Sequence, residues 1–297
     1  MVGHTQLKLR MGIVGTILFA LYLFVGWIIF NSLGGGTGAL IALSLGFIAY
    51  PFILYKFGRW SALRSVGAED MPEQAHGRRD YGRIHQATER LCEDMGLDKP
   101  RLMVADMGTP NAFAVGRKAD GVVVISNEII DLLDDQELDG VIAHELAHIK
   151  NRDTVVMVMG QSLAALVGWV VYLVMMFRGN RNFLVAWLGS MVAQMVVTIF
   201  LMAISRYREY VADEDAARYT NNPDAMARAL EKISAGAQSG GPRQNQQRQQ
   251  QQEPMRGNES VSALCIFNVS GGILSTLFAT HPPSEKRIER LRNMNLY

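Results

Sequence analysis

The chain has 297 residues, 49% of them hydrophobic, and a formal net charge of +1. So balanced a charge gives no bulk attraction for a polyanion, and nucleic acid is not an expected partner. Two cysteines, Cys92 and Cys265, form neither a disulfide framework nor a metal-ligand pattern.

The mean hydropathy of +0.08 averages very apolar and very polar blocks. Met11 to Tyr55 contains no Asp, Glu, Lys or Arg. A membrane span needs about 20 residues, so this stretch has room for two, broken by the turn-like "NSLGGGTG" at 31–38. It is too long for the apolar region of a cleaved signal peptide. Residues 1–58 therefore read as a first transmembrane hairpin.

Residues 56–80 are polar, with Gly and Pro, and read as a linker. Ile84, Ala87, Leu91 and Met95 recur at helical spacing and predict a helix over Arg79–Met95, ended by Gly96. "RLMVADM" (101–107), "NAFAVG" (111–116) and "VVVIS" (122–126) are short strand candidates separated by turns, which predicts a small antiparallel sheet. Asp134 and Glu137 have the spacing of a capping box that opens the next helix.

That helix carries His144, Glu145 and His148, an H-E-x-x-H pattern. At about 100° per residue the two histidines project together, and two imidazoles one turn apart can bind one tetrahedral ion. Glu145 beside them suits the general base that deprotonates a metal-activated water. The stretch 59–153 is thus a first part of a catalytic domain.

Val155–Phe177 and Asn182–Ile204 are two further apolar blocks joined by "RGNRN", a second transmembrane hairpin over 154–205. Lys8, Arg10, Lys56, Arg59, Arg64, Lys150, Arg152, Arg206 and Arg208 fall on one side of a four-span arrangement, against Arg178 and Arg181 on the other. The basic side, with both termini, is expected in the cytoplasm.

A catalytic metal needs a third protein ligand and an open position for water. His148 lies seven residues before the third span and Glu209 five after the fourth. If both helices continue past the bilayer, the rises are about 10 Å and about 8 Å, which brings Glu209 near the level of the histidines. Asp213, at i+4 from Glu209, suits the carboxylate that orients a ligand histidine. The region 206–233 is therefore the third-ligand helix. The Gln-, Gly- and Ser-rich stretch 234–260 lacks core-forming residues and reads as a disordered insertion. The uncharged run Val261–Thr280 is too polar for a lone span, so 261–297 completes the catalytic domain.

"HELAH", "SRYREYVADEDA", "NAFAVG" and "THPPSEKRIERL", in this chain at 144–148, 205–216, 111–116 and 280–291, together resemble the M48 family of zinc metallopeptidases, in particular its bacterial membrane-embedded members. The resemblance implies a mainly α, polytopic membrane protein with four transmembrane helices and a gluzincin-type zinc metallopeptidase domain containing a small β-sheet. It implies one Zn2+ per chain on His144, His148 and Glu209, and Glu145 as base. It further implies membrane-protein or unfolded polypeptide substrates, stress-related quality control, and a bacterial inner membrane with catalysis on the cytoplasmic side. Asn111, Ala112, Phe113 and Ala114 resemble the family's edge strand, with which an extended substrate could pair, although an ordinary strand accounts for the residues as well. His281 resembles a position facing the site, where it could stabilise an oxyanion, although a turn histidine before two prolines reads equally well. Two alternatives stay open. One is a prenyl-protein (CAAX) protease activity of the same family; the other is an inactive scaffold retaining the zinc fold.

Overall fold

The computed structural model describes residues 4–32, 34–74, 79–177, 182–239 and 282–294. Two compact units divide the chain, one from 1–57 and 155–207, the other from 58–154 and 208–297.

In the first unit, α1 (His4–Ser32) ends where Gly34 and Gly35 adopt left-handed φ of 82° and 67°. The Gly35 amide donates to the Phe30 carbonyl, so the predicted hinge is a closed turn. Beyond it α2 (Thr37–Ser44) passes through a π-helical turn (Leu45–Ala49) into α3 (Tyr50–Ser65). The π turn precedes Pro51, which has no amide to donate and whose ring displaces the carbonyl one turn back. Next come α7 (Asp153–Phe177) and α8 (Phe183–Thr220). Leu163, Ala164, Val197, Leu201 and Ile204 pack between them. Gly160 permits this approach, since a Cβ there would lie 2.2 Å from a Leu201 methyl. Among the described residues, α7 and α8 are the two helices long and apolar enough to cross a membrane. Their outer faces expose Trp169, Leu184, Trp187, Val192 and Phe200, and α1 likewise exposes Ile17, Phe19 and Trp27.

The second unit is built around a four-stranded sheet ordered β1-β2-β4-β3. The strands are β1 (Glu69–Asp70), β2 (Arg101–Ala105), β3 (Ala112–Val115) and β4 (Val122–Ser126). The expected antiparallel sheet is instead mixed: β1–β2 and β3–β4 are antiparallel, but β2–β4 is parallel. The cause is that β3 takes the edge and the chain turns back from it, so β4 is inserted between β3 and β2. Gly116, at φ 113°, closes that hairpin, where a Cβ would meet the Asp120 carbonyl oxygen at 2.6 Å.

Both faces of this sheet are covered. Ala112, Ala114, Val123 and Ile125 point into the main core, whereas Phe113, Val115, Val122 and Val124 join Ala62 in a second cluster. This period-two division follows from the strand geometry. The polar stretch expected as a linker over 56–80 in fact contains the end of α3, which carries Ala62, and the short strand β1.

Helix α4 (Tyr81–Met95) has the Asp80 side chain as its cap and Gly96 at φ 65° as its end. Its stop is the one expected. A short α5 (Asn127–Leu132), capped by Ser126 Oγ, was not foreseen. Helix α6 (Asp135–Lys150) opens with the full capping box of Asp134 and Glu137. Glu137 is fully buried and also receives Lys232 Nζ at 2.6 Å from α9 (Pro223–Ser239). Val141, Ile142 and Leu146 of α6 pack against Met226, Leu230 and Ile233 of α9 and Leu291 of α10 (Ser284–Arg292). Because α9 runs to Ser239, residues 234–239 of the stretch expected as disordered are helical. The remainder of that stretch, all of Val261–Thr280 with Cys265, and His281 lie outside the described residues.

Candidate metal centre

Capping fixes where α6 starts, and core packing of Val141, Ile142 and Leu146 fixes its rotation. His144 and His148 are thereby stacked one turn apart with their Nε2 atoms separated by 3.1 Å. Glu209 reaches them from α8: Oε2 lies 3.6 Å from His144 Nε2 and Oε1 lies 3.6 Å from His148 Nε2. In a tetrahedral zinc site with bonds near 2.0–2.1 Å, adjacent donor atoms are about 3.3 Å apart. The spacing of the two histidine nitrogens is close to that edge length, and with one oxygen of Glu209 as donor the three ligand atoms lie within 4.8 Å of one another, so these side chains could hold a tetrahedral ion. Two imidazole nitrogens and a carboxylate are also the donor types zinc takes.

Each histidine has its own carboxylate behind it. His144 Nδ1 faces Asp213 Oδ1 at 3.0 Å, and His148 Nδ1 is hydrogen-bonded to Asp153 Oδ2 at 2.6 Å. A carboxylate on Nδ1 favours the proton there and leaves the Nε2 lone pair pointing at the common point. Each carboxylate in turn has an arginine. Arg287 Nε donates to Asp213 Oδ2 at 2.8 Å and its Nη2 to Oδ1 at 2.6 Å, while Arg208 Nε stands 2.8 Å from Asp153 Oδ1.

Arg287 comes from α10 and is 1% exposed. Its Nη1 also lies 3.2 Å from Glu209 Oε2 and its Nη2 lies 3.4 Å from His144 Nε2. Burial works against its charge, yet Asp213 and Glu209 hold the guanidinium pKa above its ordinary value. For His144, burial also opposes the charge, but Asp213 and Glu209 push the imidazole up to about 9. The carboxylates thus favour a proton on a ring that would have to give it up on binding a metal.

Glu145 is 2% exposed and sits beside His144 on α6. Asn111 exchanges backbone and side-chain hydrogen bonds with Ser126: its amide donates to Ser126 Oγ at 3.0 Å and its carbonyl accepts from the Ser126 amide at 2.9 Å. Ala112, Phe113 and Ala114 form β3, whose only neighbour in the sheet among the described residues is β4. Ala112 and Ala114 face the core that α6 shares.

The sequence reading thus brought together His144, His148, Glu209 and Asp213, but left out Asp153, Arg208 and Arg287. Asp153 had one signal, an acidic residue opening an apolar helix, where the dipole favours it. Arg287 lies inside the stretch "THPPSEKRIERL" but was given no role there, because only the tertiary fold brings the C-terminal helix to the histidines.

Residues 78–295 match peptidase family M48. A "Protease HtpX homolog" of Halobacterium salinarum is 48% identical over 299 residues, covering 95% of this chain and 100% of that protein. Another so named, from Salinibacter ruber, is 35% identical, covering 94% of this chain and 96% of the relative. The fold is similar to that in the crystal structure of S. mikatae Ste24p, with a TM-score of 0.54 and 17% identity; the likeness covers 96% of this chain and 66% of that one. The family match takes in α6, the ligand-bearing part of α8, and α10 in a single run, and on it the chain belongs to peptidase family M48.

Proposed function

We propose that the chain is an integral-membrane zinc endopeptidase that cleaves misfolded or damaged membrane proteins at the cytoplasmic face. The observation that carries the reading is the convergence of His144, His148 and Glu209, whose ligand atoms all lie within 4.8 Å of one another. In this proposal one zinc per chain is held by those three side chains. Bound there, zinc would supply Lewis acidity, making a water acidic near pH 7 and polarising a peptide carbonyl.

The protein's own residues do the rest. Glu145 takes the proton from the attacking water and passes it to the leaving amine. Asp213 holds His144 with Nε2 facing the ion, and Arg287 holds Asp213. Asn111–Ala114 offer an edge to which an extended substrate adds as a further strand. His281, outside the described residues, is proposed as a second donor to the oxyanion.

For the membrane, we propose four spans: α1, the helical run from α2 through α3, α7, and the apolar part of α8. The uncharged run Met11–Tyr55 and the exposed apolar faces of α1, α7 and α8 support this. The excess of Lys and Arg on one side supports a cytoplasmic catalytic unit. The resemblance to membrane-embedded M48 proteases supports the stress-related role. An inactive scaffold is disfavoured because Glu145, the base, is in place beside a complete donor set.

The test is cleavage of unfolded and membrane-inserted polypeptides by the purified chain. Cleavage should stop with a zinc chelator, return with added zinc, and be absent in Glu145→Gln. Cleavage that persists in both the chelated protein and the variant would contradict the proposal. Preferential processing of a prenylated C-terminal peptide would favour the CAAX alternative.

A further inference from the structure

The site contains two parallel triads of histidine, aspartate and arginine. His144–Asp213–Arg287 joins α6, α8 and α10; His148–Asp153–Arg208 joins α6, α7 and α8. The second triad is buried. Asp153 is 2% exposed and Arg208 is 7% exposed. The two oxygens of Asp153 are divided between them, Oδ2 to His148 Nδ1 and Oδ1 to Arg208 Nε. Arg208 Nε and Nη1 and Asp153 Oδ1 have no hydrogen-bond partner among the described residues, so Arg208 and Asp153 meet as a buried ion pair at 2.8 Å.

Backbone geometry indicates that this placement is costly. Between α6 and α7 the chain turns through Asn151 and Arg152, and Arg152 adopts φ 57°, a left-handed conformation in a residue with a long side chain. Such a conformation persists only where surrounding structure fixes it. Here the turn folds the first residue of α7 back onto the ring of His148.

We propose that Asp153 and Arg208 are positioning residues for the metal-dependent reaction: Asp153 fixes the tautomer and orientation of His148, and Arg208 offsets the charge of Asp153. The proposal rests on the zinc reading of the same site. Asp153 would hold the His148 proton on Nδ1 and keep Nε2 aimed at the point shared with His144 and Glu209. Arg208 directly precedes Glu209 on α8, so one helix delivers both a ligand and the counter-ion of the carboxylate behind another ligand. A change at Asp153 or Arg208 should therefore be read at the metal as well as in the fold, since both are buried.

The experiment uses the full chain in detergent, metal-stripped and then loaded with zinc or cobalt. In Asp153→Asn, zinc affinity measured by chelator competition should fall about 10–100-fold, as is usual for such outer-shell changes. The visible ligand-field bands of the cobalt form should shift; the melting temperature of the metal-free protein should also fall, because a buried ion pair loses one partner, so affinity and spectrum are compared in variants shown to be folded. Arg208→Gln should act in the same direction, and Arg208→Lys should recover most of the affinity by restoring the charge. If Asp153→Asn fails to fold, Arg208→Gln and Arg208→Lys carry the same comparison. Unchanged zinc affinity and an unchanged cobalt spectrum in the folded variants would overturn the proposal, leaving Asp153–Arg208 a structural ion pair. A parent chain that takes up no zinc would instead overturn the reading on which it rests.

Discussion

The imidazoles of His144 and His148 meet edge to face, their planes at 87° and their Nε2 atoms 3.1 Å apart. Two ring nitrogens that close cannot both carry a proton without collision. With Glu209 completing the triangle, the arrangement favours a single cation at its centre.

The pair is held from behind, and Arg287 is the part of that support most sensitive to substitution. Its guanidinium is buried against Asp213 and Glu209. Arg287→Met would leave those charges uncompensated in the interior, which costs about 3–5 kcal/mol when one partner of a buried pair is lost. Chemical unfolding of the metal-free protein should show this loss. Arg287→Lys should lose less, since it keeps the charge but not the fork that grips both Asp213 oxygens. An Arg287→Met protein as stable as the parent would contradict this role.

Cys92 gives a pH-dependent prediction away from the site. Burial raises its thiol from 9.0 to about 11. The folded protein therefore favours the neutral thiol. Stability from that preference is fully present below about pH 9 and is lost as pH rises through about 11. In a Cys265→Ser background, alkylation of folded protein at pH 8 should be at least about 100-fold slower than for the unfolded chain, from the two-unit difference alone. Equal rates folded and unfolded would show that Cys92 is not buried as described.

Topology can be tested with reporter fusions. Fusions at Gly35 and Gly179 should report outside the cytoplasm, and a fusion after Tyr297 should report inside, as the distribution of basic residues requires. A C-terminal reporter found outside would contradict the four-span arrangement and favour Val261–Thr280 as a fifth span.

What the sequence made legible was local. The i, i+4 spacing of His144 and His148, the capping pair Asp134 and Glu137, and the stop at Gly96 each depend on a few neighbouring residues, and each is found in place. Glu209 and Asp213 were reached by counting helical rise across a tight hairpin, and α8 does continue unbroken through both. The parallel pairing of β2 with β4 was not legible, because burial of both faces of β4 removes the alternation that marks a one-sided antiparallel strand. Asp153 was hidden by the reversal at Arg152, and Arg287 by its distance along the chain from its partner Asp213.

The central claim is that His144, His148 and Glu209 hold the metal while Glu145 moves the proton. The most direct measurement compares zinc content and peptide cleavage in the same preparations of Glu145→Gln and Glu209→Gln. Glu145→Gln preserves all three donors, so it should keep about one zinc per chain while turnover falls by about 100-fold or more, the scale of a lost general base. Glu209→Gln weakens the donor set itself, so zinc content should fall together with activity. Full zinc and near-normal turnover in Glu209→Gln would contradict the account and send the search for the third ligand to Asp213.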